Sequence, residues 1–202
     1  MTDQLSTRIG TMLKGVASGL IPMAIFIPFY AVWPLFVSLP PGLLVLLGAA
    51  AWATTLAISA AKLLRLAREL PQATNADDDR IAKGMAIVGG VQGGLILISL
   101  VTLIALGRWP WILPATAVIV ALHFFALPWI FRRTIDYYLG AAMLIVALAG
   151  LYLAVRDEVG WQYSWAAVGI GATLVLSGYG WWMRNTARRL LAEYRSTPER
   201  RT

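Results

Sequence analysis

Charged side chains are absent from five long stretches: 47 residues from Gly15 to Ala61, 24 from Gly84 to Gly107, 23 from Trp109 to Phe131, 19 from Tyr137 to Val155 and 25 from Val159 to Met183. A helix crossing the hydrocarbon core of a bilayer needs about 20 apolar residues. The last four stretches therefore supply one crossing each, and the first, divided by Pro40-Pro41, supplies two. Runs this long are unlike the roughly ten-residue alternating strands of a membrane barrel, so the crossings are helices, which satisfy their own backbone groups in a solvent without water. The pattern predicts an all-α polytopic membrane protein, a six-helix transmembrane bundle with spans at about 15–37, 42–64, 83–106, 111–131, 138–155 and 163–183. A short segment 1–14 precedes the bundle, and a basic tail, 184–202, follows it.

Composition agrees: 59% of the 202 residues are hydrophobic, 13% are charged and the mean hydropathy is +0.70, against about 25% charged in a soluble domain. The net charge of +7 would suit nucleic acid if it were spread over one surface. Its distribution instead places 15 Lys and Arg residues on one side of the predicted bundle and two, Arg108 and Arg156, on the other. The positive-inside rule then predicts both termini in the cytoplasm. No aromatics interleave with these cations, so no nucleic-acid partner is expected. The first apolar stretch, with Pro22, Pro28 and Pro34, lacks the short core and cleavage site of a secretory signal and is expected to stay attached. Short outer turns and strict charge asymmetry suit a bacterial inner membrane. With no cysteine, no disulfide or thiolate metal site can form.

Helix 1 is expected to be kinked by its prolines. Helix 2 carries the small-residue run Gly48-Ala49-Ala50-Ala51, and helix 3 carries Gly89, Gly90, Gly93 and Gly94 around Gln92. Gly-x-x-x-Gly spacing, present twice, predicts a tight helix crossing and small-residue faces through which the chain assembles as a homo-oligomer. Asp77-Asp78-Asp79 leads into helix 3 at the positive end of its dipole and reads as a cap, since the ligand pattern of a calcium loop is missing. Leu190, Leu191 and Tyr194 give the basic tail an apolar face suited to lying on the inner leaflet. Eight of nine tryptophans fall near span ends, as membrane anchors do; Trp52 is the exception. A shift of 69 residues matches six of 28 positions from Lys14 to Pro41, suggesting that helices 1 and 2 are repeated as helices 3 and 4.

Intramembrane polar groups are costly and mark candidate sites. All ten carboxylates fall outside the predicted spans, leaving His123, Gln92, Thr54, Thr55 and Ser177. At about 1.5 Å per residue, Thr54, Gln92, His123 and Ser177 each lie roughly 20 to 22 Å from the outer turns, at nearly one level. Two interpretations follow. Either these groups line a ligand site, with His123 as an orienting or protonatable group, or Gln92 and His123 hydrogen-bond to each other or to freed backbone carbonyls and lock the bundle. Catalysis is not expected. A Ser177–His123 pair would resemble the rhomboid proteases, but their Gly-x-Ser-Gly motif precedes the histidine, whereas Leu176-Ser177-Gly178 follows it. One histidine without an intramembrane acid cannot hold a metal, and no cofactor is expected.

Residues Ile81 to about Gly150 resemble a group of uncharacterised bacterial integral membrane proteins. The shared elements are Leu122-His123-Phe124, Leu127-Pro128, the basic turn Arg132-Arg133 and Tyr137-Tyr138-Leu139-Gly140. The chain departs from that pattern in having Ala121 in place of a glycine and an extra Phe125-Ala126 before Leu127-Pro128. The resemblance covers about 70 of 202 residues. It implies a multi-pass topology and draws attention to His123 without implying a substrate. The sequence thus predicts a small permease or channel-like protein for a neutral or weakly basic solute, or a non-catalytic accessory protein whose polar residues only stabilise packing.

Overall fold

The computed structural model describes residues 2–71, 76–156 and 160–196. Among them are six α-helices and no strand: α1 (Thr2–Ala31), α2 (Leu39–Glu69), α3 (Ala76–Ala105), α4 (Ile112–Phe131), α5 (Ile135–Val155) and α6 (Trp161–Ser196). The segments Ile9–Phe36, Leu39–Glu69, Asp79–Ala105, Trp109–Phe131, Ile135–Val155 and Trp161–Ala192 are all long and apolar enough to cross a bilayer. Leu44, Ile145 and Leu174 are at least 67% exposed, a disposition suited to lipid rather than water.

The helices outlast the uncharged runs. α1 begins at Thr2 instead of Gly15, and α3 begins at Ala76, seven residues before Lys83, so Asp79, which is exposed, lies within its first turns and not in a preceding loop. α6 continues unbroken for 36 residues, about 54 Å at 1.5 Å per residue. The basic segment from Asn185 to Tyr194 is therefore an extension of α6 and not a separate surface helix. At the other end of α1 the prediction is too long. The α-helix passes through Pro22 and Pro28 but stops at Ala31, and the chain tightens into a 3-10 turn at Trp33–Phe36. Pro34 fits this break, because it has no N–H for the carbonyl four residues back while its fixed φ suits the start of a new turn. A second Trp-Pro 3-10 turn, Trp109–Trp111, precedes α4. The two turns are 76 residues apart, and Pro41 lies inside α2 while Pro110 lies in a turn. The two halves share the order helix, 3-10 turn, helix, but their turns are offset from the 69-residue shift.

The chain forms two compact units. One contains residues 1–29, 48–74 and 176–202. Its core is built from apolar residues at helical spacing: Ile9, Leu13, Leu20 and Ile27 from α1, Leu56, Ala60, Leu63 and Ala67 from α2, and Leu176, Met183 and Ala187 from α6. Glycine sets the closest approach here. A Cβ on Gly10 would lie 2.7 Å from the carbonyl oxygen of Pro71. α2 and α6 are also joined by a polar link, in which Arg184 Nε donates to Ser59 Oγ at 3.2 Å and its guanidinium lies over the half-buried Trp52 ring at 5.9 Å.

The other unit contains residues 30–47 and 75–175. α4 and α5 form a tight hairpin through Ala117, Ala121 and Phe124 facing Leu139, Met143 and Ala147, all buried. Buried Ser164 of α6 donates to the Gly150 carbonyl at 2.8 Å. The aromatics at this end of the unit pack on one another instead of standing apart as separate anchors. Trp33, Phe36, Trp109, Trp161 and Trp165 form a closed circuit with neighbouring centroids 4.6 to 6.0 Å apart. Trp165 Nε1 donates to the Pro110 carbonyl at 2.7 Å and Trp111 Nε1 to that of Ala154 at 3.1 Å, so the cluster stitches the turns together. Trp129 and Trp181, 79% and 58% exposed, keep the disposition expected of anchors.

Candidate functional site

α3 is the least covered helix: none of its apolar window is buried. Its half-buried residues nonetheless recur at helical spacing, Ile81, Gly84, Met85, Val88, Gln92, Ile96, Ser99, Leu100 and Leu103, and define one stripe. That stripe faces α4, against which α3 packs. Its register is given by Gly84, where a Cβ would lie 3.1 Å from Ile130 Cγ1. Counting eight residues along each of the two antiparallel helices brings Gln92 level with Leu122, one residue from His123. By this count two of the four predicted polar residues lie near one level on adjacent helices.

No hydrogen bond joins Gln92 and His123. The His123 ring is half-buried beside Phe124, with centroids 6.0 Å apart, and its Nδ1 is buried without a hydrogen-bond partner among the described residues. Neither form of the locking interpretation, a bond to Gln92 or one to a backbone carbonyl, is made by this nitrogen. Leaving a buried polar atom unpaired costs about 1 to 3 kcal/mol, and a bound solute could remove that cost.

Thr54 and Ser177 belong to the other unit. Thr54 is exposed and its hydroxyl donates to the Ala50 carbonyl at 2.8 Å, while Thr55 does the same to Ala51 at 3.0 Å. Both hydroxyls are therefore spent on their own helix. Ser177 is half-buried.

The glycines fall elsewhere than expected. Gly89, Gly90, Gly93 and Gly94 lie off the α4-facing stripe, are exposed, and have no atom within 4 Å of an added Cβ. Among the described residues the tight crossing predicted from their spacing is not made; the close approaches are at other glycines, such as Gly10, Gly140 and Gly169.

Asp136 is the residue that sequence reasoning missed. It lies in the first turn of α5, inside a candidate span, and is fully buried, so not every carboxylate lies outside the spans. Arg133 Nε stands 3.6 Å from Asp136 Oδ2, and the same guanidinium covers the Phe131 ring at 4.4 Å. The spacing from Arg133 to Asp136 was a usable signal, because side chains three apart meet at a helix start. The uncharged-run criterion, which begins the run at Tyr137, hid it. Comparison with protein-family models, with curated proteins and with solved structures finds no match to the chain.

Proposed function

We propose that the chain is a small multi-pass permease of a bacterial inner membrane, with both termini in the cytoplasm, that passes a neutral or weakly basic solute along α3 and α4. The observation that supports this most is the buried, unpartnered Nδ1 of His123 at the level of Gln92. An imidazole nitrogen and a carboxamide on neighbouring helices offer both a donor and an acceptor to a small polar molecule. The charge-free surroundings disfavour an ion, and α3, covered on one stripe only, is the helix freest to move.

Purified protein in proteoliposomes, assayed by stopped-flow light scattering with urea, glycerol and methylamine, tests this. Faster uptake of one of these than in empty vesicles, abolished by His123→Ala and reduced by Gln92→Ala at unchanged thermal midpoint, is the expected result. Variants that lose stability while no flux differs from that of empty vesicles would overturn it.

A second reading has an observation of its own. The open glycine face of α3 suits a non-catalytic accessory protein whose α3 is covered by another chain. In either reading the glycines serve assembly, as a homo-oligomer or with a partner helix, by the close approach that small residues permit.

A further inference from the structure

Where α1 and α2 meet at their basic ends, the first unit encloses a half-open cavity of about 380 Å³ lined by Lys14, Leu64, Ala67 and Arg68. The cavity offers two cations and two apolar walls. Neither Lys14 nor Arg68 has an acidic partner among the described residues, and the nearest carboxylate in sequence, Glu69, is turned to Arg65 at 3.9 Å. Exposed residues continue from each cation at helical spacing. On α1 these are Ser18, which adds a hydroxyl next to the basic end, and then the apolar Ile21 and Ile25. On α2 they are Ala61 and Ile58.

We infer that this cavity binds an anionic phospholipid, with Lys14 and Arg68 holding the headgroup phosphate and the acyl chains running along Ile21 and Ile25 on one helix and Ala61 and Ile58 on the other. Both halves of such a ligand have counterparts on the surface. Paired cations attract a phosphate oxygen cluster, whereas the apolar walls and rows would contribute nothing to a free anion. Lys14 provides a mobile point charge and Arg68 a planar fork of donors, a combination suited to a phosphodiester that also needs orientation. This inference is independent of the permease reading and requires only that α1 and α2 span a bilayer.

Full-length protein in a neutral detergent, titrated with dioleoylphosphatidylglycerol and with dioleoylphosphatidylcholine and read by native mass spectrometry, tests it. The expected result is tighter retention of the anionic lipid. Each basic side chain near an anionic surface contributes a factor of about five in affinity, so the double variant Lys14→Gln, Arg68→Gln should lose about thirtyfold. The control Lys62→Gln, which leaves Glu69 on Arg65, should bind as the wild type does. Equal affinity for the two lipids, or undiminished binding by the Lys14, Arg68 variant, overturns the inference. Inorganic phosphate that binds as tightly as the lipid and displaces it also overturns it, since the site would then be one for a free anion. If the double variant fails to fold, the wild-type preference between the lipids, with Lys14→Gln alone, decides the matter.

Discussion

Gly107 and Arg132 both sit just beyond a helix with left-handed backbone, at φ 67° and 54°, and only the first is a glycine. After α3, Gly107 N donates to the Ile104 carbonyl at 3.0 Å and Arg108 N to that of Leu103 at 2.8 Å, the paired bonds of a Schellman stop. After α4, Arg132 N donates to the Pro128 carbonyl at 2.8 Å and the side chain is exposed. A Cβ in this region costs about 1 kcal/mol or somewhat more. Gly107→Ala should therefore lower stability by about that amount, although a Cβ there would touch nothing. Arg132→Gly should raise it by a similar amount, reduced by the greater freedom that glycine gives the unfolded chain. Unfolding midpoints in mixed micelles check both signs. Gly107 was legible as a stop because it ends an apolar run just before Pro110. Arg132 was not, because nothing in a pair of arginines announces left-handed backbone, and the conformation is imposed by the α4–α5 connection, only three residues long.

At the scale of elements, the existence and number of the helices were legible, because lipid requires long charge-free runs. Their ends were less so, because α1, α3 and α6 continue into charged sequence where no bilayer constrains composition. Packing partners were the least legible. Spacing places Gly89 and Gly93 on one face of α3, yet it does not say whether that face meets the chain's own helices, and in the structure it does not. The same limit applied to the polar residues. Distance from the outer turns put Gln92 and His123 at one level, but it took the stripe on α3 and the register at Gly84 to place Gln92 against α4 near the level of His123. Glycines in open and in closed places should therefore behave oppositely. Gly93→Ala should leave the isolated chain unharmed, or slightly steadier through the helix preference of alanine, worth up to about 1 kcal/mol. Gly10→Ala should destabilise it, because backbone, not a yielding side chain, stands 2.7 Å from the added atom. If the open face assembles copies, Gly93→Leu should also abolish the cross-linking that Gly90→Cys would otherwise show in a chain with no cysteine of its own. Chemical denaturation and oxidative cross-linking separate the two roles.

At the scale of the molecule, the positive-inside rule makes orientation a matter of summed charge. Fifteen basic residues fall at one end of the predicted spans and two at the other, a bias that no single residue carries. The rule predicts cytoplasmic termini, and with them the leaflet that the Lys14 and Arg68 cavity meets. Because the chain has no cysteine, single introduced thiols report sidedness without background. Thr7→Cys on α1 and Arg188→Cys on α6 should react with a membrane-impermeant maleimide only after spheroplasts are opened, whereas Gln162→Cys, at the start of α6, should react in intact ones. Six crossings put residues 7 and 188 on the same side whichever side that is, so matched labelling of those two tests the helix count and the position of Gln162 tests the charge rule. Labelling of Thr7→Cys and Arg188→Cys on opposite sides would mean an odd number of crossings. Labelling of both from outside would invert the protein and present the phospholipid cavity to the other leaflet.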